Sequence, residues 1–194
     1  TADDIGPGQV LERQGSGSPR RAARVLAPLA LVFVLGFGIE RMRPATAQIL
    51  FWIYAGLVGV SLATVFMVFT QTSVVRVFFI TAASFGALSL YGYTTQRDLS
   101  PMGSFLIMGL FGIIIASLVN LFLHSSGLQW VISVLGVGIF AGLTAYDTQR
   151  IKEMYSSAYD DGTIGRMAVM GALSLYLDFI NLFLYLLRFM GDRR

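Results

Sequence analysis

The chain has 194 residues, 55% of them hydrophobic and only 13% charged, with a formal net charge of +3. A soluble domain carries about 25% charged residues, so there is too little polar material here to coat a soluble globule, and the apolar residues fall in blocks as they do in a polytopic membrane protein. The basic residues flank those blocks instead of forming a patch, which argues against nucleic acid as a partner. The absence of cysteine excludes disulfides and thiolate metal sites.

Residues 1–24 are polar and rich in Gly, Pro, Ser and Arg (GPGQ, GSGSPRR) and read as a disordered tail. Arg20, Arg21 and Arg24 before an apolar run mimic a signal peptide. No good cleavage site follows, however, and five more apolar segments do, so a membrane anchor is expected. Residues 25–194 then read as one all-α domain, a polytopic transmembrane helix bundle of six spans. The first, 25–39, is short for a span of about 20 residues, and Pro28 suits its first turn. The others are predicted at 48–69, 74–93 and 104–123, from about 128 past Tyr146, and from about 166 to 190. The connections are short, so sequential helices are expected to pack as antiparallel neighbours. Gly138 and Gly142 form a G-x-x-x-G step, and Gly56 and Gly59 sit together, as small residues do where membrane helices approach closely. Trp52, Trp130, Tyr93 and Tyr155 lie near span ends, as interfacial aromatics do. Lys and Arg divide almost evenly between the two sides, which leaves the orientation open.

The polar residues of the last two spans carry the chemistry. In the sixth, Ser174, Asp178, Asn181, Tyr185 and Arg188 are spaced 4, 3, 4, 3, which puts them on one stripe of a helix. Such a stripe cannot face lipid and must turn toward other helices or water. In the fifth, Asp147 precedes Arg150, an ion-pair partner at i+3. A carboxylate at membrane depth costs about 2.5–3.5 kcal/mol. Asp147 and Asp178 lie symmetrically about the breaker DDGTIG, with their midpoint at Gly162–Thr163. With the fifth helix ending near Tyr155 and the sixth starting near Arg166, the aspartates fall roughly 12 and 18 Å from the turn and come close across the hairpin. Two carboxylates in a poorly solvated site cannot both ionise cheaply, so the pair holds a proton, a cation or an arginine. As a calcium site it is incomplete, because Ca²⁺ takes 6–8 oxygens; a weak, passing metal site at Asp147 and Asp178, helped by Asn181 and water, fits better than a tight store. Asn120 reads as a helix–helix hydrogen bond, His124 as interfacial, and TTQRDLS with Arg97 and Asp98 as a solvated turn. No G-x-S-x-G, P-loop or H-E-x-x-H is present and no Ser–His–Asp set is credible, so neither an enzyme nor a cofactor is expected.

The stretches FGALSLYGYTTQRDLSPMGSFLIMGLFGIIIASLVNLFL, GIFAGLTAYDTQRIKEMY and GALSLYLDFINLFLYLLRF closely resemble the Bax inhibitor-1 (transmembrane Bax inhibitor motif) family, and its bacterial branch most of all. AYDTQ and LYLDFINLF, in that order, are the most specific motifs. The resemblance implies a bundle of seven helices with the last lying centrally. The family's first helix has no counterpart, since residues 1–24 are polar where an apolar span is expected. It further implies placement in the bacterial inner membrane and a pH-sensitive calcium leak. The family's paired aspartates fall on Asp147 and Asp178. Some bacterial members are tied to a membrane-bound AAA protease, which supplies the alternative of a non-transporting regulator of a protease or stress response. A proton-coupled transporter would show two matching halves, and no internal repeat is seen. Lipid, protons and cations are the expected partners.

Overall fold

The structure, a computed structural model, describes residues 41–156 and 160–194. The predicted tail at 1–24 and first span at 25–39 lie outside them. The described helices are α1 (Pro44–Leu62), α2 (Val65–Val68), α3 (Gln71–Thr94), α4 (Ser100–Leu123), α5 (Ser126–Ser156) and α6 (Asp161–Met190). Among the described residues there is no strand, only an isolated antiparallel bridge between Phe69 and Arg193. Five stretches are long and apolar enough to cross a membrane: α1 with α2, then α3, α4, α5 and α6. They correspond to the second through sixth predicted spans. The predicted starts fall late, most of all in the last helix, because Asp160 caps it six residues before Arg166.

The chain divides into two compact units at Thr64 and Val65. In the first, Pro44 opens α1, and Arg43 ahead of it is extended, as a residue before proline must be.

The second unit holds α2 to α6, and its helix ends are set by local chemistry. The Thr70 hydroxyl accepts from Ser73 N–H at the start of α3. Asp98 Oδ1 accepts from Ser100 N–H at 2.9 Å just before α4, and these contacts with Ser100 hold the exposed Asp98 carboxyl below its usual range. Asp160 accepts from both the hydroxyl and the N–H of Thr163, which likewise lowers it. Both carboxylate contacts therefore act at neutral pH and weaken as pH falls through the lowered values. His124 ends α4 in the left-handed region, φ 49°, a conformation that lets the chain reverse into α5 within two residues.

Helix α5 packs against α3, α4 and α6, and α6 also packs against α3. The core joins Val74 and Val77 of α3, Leu106 of α4, Phe140 and Leu143 of α5, and Leu182, Phe183, Leu186 and Leu187 of α6. Phe78 and Phe85 meet Phe179 edge-on, which locks α3 to α6. The outward faces are apolar, with Phe122 86% and Phe105 71% exposed, a surface suited to lipid or to another apolar helix and not to water. Trp130, Tyr93 and Tyr155, expected at span ends, are all exposed.

Close approach depends on glycines other than most of those the sequence singles out. A Cβ on Gly92 would run into the Ala145 backbone carbonyl of α5, and one on Gly136 would lie 2.5 Å from the Tyr185 ring of α6. Gly142 does lie against Leu106, but Gly138, Gly56 and Gly59 meet nothing within 4 Å. Gly92→Ala is therefore expected to destabilise by about 1–3 kcal/mol, because backbone cannot yield as a flexible side chain can. Gly138→Ala is expected to be neutral or to stabilise by up to about 1 kcal/mol through reduced chain entropy. Thermal unfolding of the two variants in detergent checks this, and equal losses would contradict the packing.

Candidate functional site

The register of the α5–α6 hairpin follows from its close contacts. Gly136 lies against Tyr185, Asp147 against Asp178, and Ile151 against Gly171. Numbers rise along α5 as they fall along α6, so the helices are antiparallel neighbours, and the last turn of α5 is level with residues near Arg166. The first turn of α6 overhangs that end.

This register carries the carboxyl groups of Asp147 and Asp178 into hydrogen-bonding reach of each other. Asp178 is 4% exposed and Asp147 half-buried. Asp147 lies well inside α5, about 13 Å along the axis from its last residue, and not in a solvated turn. Three threonine hydroxyls of α3 and α5 bond elsewhere. Thr144 donates to Phe140 O at 2.7 Å, Thr148 to Thr144 O at 2.7 Å and Thr81 to Val77 O at 2.8 Å, each within its own helix. Among the described residues, Asp178 Oδ2 and Ser89 Oγ are the buried side-chain oxygens left without a hydrogen-bond partner. Two carboxyl groups hydrogen-bond only when one of them carries a proton. A site of this kind is satisfied by one shared proton or by a cation between the oxygens.

The rest of the predicted stripe divides. Ser174 and Asn181 are half-buried, and Asn181 Nδ2 donates to Leu177 O of its own helix at 2.8 Å. The Tyr185 ring stacks on Phe140 at 5.7 Å. Arg188 is exposed and lies over Tyr185, 5.7 Å from the ring centroid. The expected ion pair between Asp147 and Arg150 is not formed among the described residues. Arg150 is exposed, and its charge reaches Asp147 only at longer range, because its flexible side chain is better hydrated in water. No cluster of three or more His, Cys, Asp or Glu occurs among the described residues, so the pair by itself falls far short of a calcium cage.

Sequence reasoning overlooked Gln149, the last residue of AYDTQ. It is buried, and it clamps the α3–α4 loop from both sides. Its Oε1 accepts from Leu99 N–H at 2.8 Å and its Nε2 donates to Arg97 O at 2.7 Å. Lys152 adds a bond to Tyr93 O at 2.7 Å and lies over that ring. The signal was present in the sequence, because a glutamine two residues from Asp147 must find partners once buried. Asn120 does bond across to α5, donating to Gln129 Oε1 at 3.2 Å, and it also caps the turn by accepting from Ser125 N–H at 3.0 Å.

Residues 19–194 match the family described as "Inhibitor of apoptosis-promoting Bax1". A protein of Rickettsia prowazekii is 58% identical over 172 residues, covering 88% of this chain and 72% of the relative. The inner membrane protein YbhL of Escherichia coli is 48% identical over 172 residues, covering 88% and 74%. A membrane protein of Streptococcus pyogenes is 44% identical over 164 residues, covering 84% and 70%.

Proposed function

From the premise that this chain is an integral membrane protein of the Bax inhibitor-1 family, we propose that it is a pH-gated cation leak pathway, with calcium as the permeating ion and Asp147 and Asp178 as the gate. The carrying observation is the buried carboxyl pair, each group within reach of the other, with no other donor to Asp178 Oδ2 among the described residues. With one proton shared, the pair pins α5 to α6 and closes the path. Loss of that proton leaves two buried like charges, which repel and loosen the hairpin. An arriving cation then takes the proton's place, and with so few protein oxygens it is held weakly enough to leave. By analogy with the Escherichia coli relative, the protein works in the inner membrane.

Calcium efflux from liposomes holding the purified chain, measured across a pH series with the Asp178→Asn variant alongside, tests this. A flux indifferent to pH and unchanged in Asp178→Asn would overturn the reading. It would favour instead a non-transporting regulator of a membrane-bound AAA protease or of a stress response.

A further inference from the structure

The end of α6 and the residues after it face the start of α5 across a cleft of about 530 Å³. Its polar wall includes Arg188, Arg193, Asn120, Ser125, Ser126 and Gln129. A second cavity of about 470 Å³ shares Arg188, Arg193 and Gln129 with it and continues onto Ile114, Leu118, Leu121 and Tyr185. One continuous groove thus has two guanidinium groups at its mouth and aliphatic side chains beyond.

The mouth is built on anchored backbone. Arg193 pairs with Phe69 in the antiparallel bridge. On either side of it, Asp192 N–H donates to Ser73 Oγ at 2.9 Å and Arg194 N–H to Val68 O at 3.0 Å. Arg188 is steadied by the Tyr185 ring, and Asn120 ties the α4–α5 turn to Gln129. Among the described residues no carboxylate lines either cavity, and neither guanidinium has an ion-pair partner. Arginine forks match phosphate oxygens in pairs, and a net positive mouth above an apolar groove matches an anionic headgroup above its acyl chain.

We infer that this groove binds a net-anionic phospholipid, its phosphate held between Arg188 and Arg193 and one chain laid along Ile114, Leu118 and Leu121. The site lies about 15 Å along α6 from Asp178, ten residues away, and rests on neither the aspartates nor ion flux.

The test is thermal unfolding of the detergent-solubilised chain titrated with short-chain phosphatidylglycerol, short-chain phosphatidylcholine or inorganic phosphate. Native mass spectrometry counts the bound lipid. Phosphatidylglycerol is expected to raise the midpoint saturably with one lipid bound, phosphatidylcholine much less, and inorganic phosphate hardly at all. Arg193→Gln, which leaves the Tyr185–Arg188 stack in place, is expected to weaken the phosphatidylglycerol response about tenfold. Arg188→Gln with Arg193→Gln is expected to abolish it. Arg76→Gln, on α3 and outside the groove, is expected to leave it unchanged. The unliganded midpoint of each variant reports its folding. Equal responses to the two lipids, an unaltered response in properly folded Arg193→Gln, or protection by inorganic phosphate equal to that by phosphatidylglycerol would each overturn the assignment, the last in favour of a free-anion site.

Discussion

Calcium efflux from liposomes containing this protein is expected to rise with pH, by up to about tenfold per pH unit on the steep part of a one-proton gate, and Asp178→Asn is expected to hold efflux at its low-pH level throughout. An asparagine amide donates to Asp147 at every pH, as a protonated carboxyl does only when the proton is present. The substituted pair carries at most one negative charge and keeps α5 pinned to α6. Asp178→Ala removes the bond as well as the charge and is expected to leak at all pH values, with loss of the steep rise. The two variants separate charge from pinning. Asp178→Asn that titrates like the parent, or Asp178→Ala that stays closed, would each refute the gate. Arg150→Gln is expected to change the profile little, since Arg150 is exposed and makes no direct ion pair with Asp147.

Gln149→Leu is expected to lower stability by about 2–4 kcal/mol and to expose the α3–α4 loop. The leucine fits the volume but abandons both the Leu99 N–H and the Arg97 carbonyl. Each stranded group costs about 1–3 kcal/mol where it stays buried, and less where water reaches it. The Arg97 bond is only partly buried and the Leu99 bond is buried, so the Leu99 amide carries most of the loss. Hydrogen exchange at Leu99 is expected to accelerate by about one and a half to three orders of magnitude, as about 1.4 kcal/mol per tenfold implies. Gln149→Glu keeps the acceptor for Leu99 while losing the donor to Arg97, and is expected to fall between. An unaltered Leu99 amide in Gln149→Leu would show that the loop is held by other means, Lys152 at Tyr93 O being the nearest.

The hairpin shows how far local pattern reaches. The spacing of Asp147 and Asp178 about DDGTIG is enough to bring them level, because helices joined by a short turn must run antiparallel and each residue advances about 1.5 Å. That argument survives an error of several residues in where α6 begins, since the added turn overhangs α5 and leaves the register intact. The stripe from Ser174 to Arg188 is equally legible as a non-lipid face. Its division is not. Asn181 turns back to Leu177 O and Tyr185 enters the space above Gly136, choices that depend on the surface opposite. The G-x-x-x-G step illustrates the same limit: Gly142 meets Leu106 while Gly138 meets nothing, because small residues permit an approach without specifying which helix makes it.

The amino-acid sequence by itself determined that this is a multi-span helical membrane protein of the Bax inhibitor-1 family with two acidic side chains inside its last two long apolar helices, since hydropathy, helical period and motif order are all local properties of the chain. Only the tertiary structure decided what those side chains meet. It left Asp178 Oδ2 without a donor among the described residues, gave Gln149 partners some fifty residues away, and set two arginines at the mouth of an apolar groove. Satisfying a buried polar group is a property of the surface packed against it, and that surface comes from distant parts of the chain.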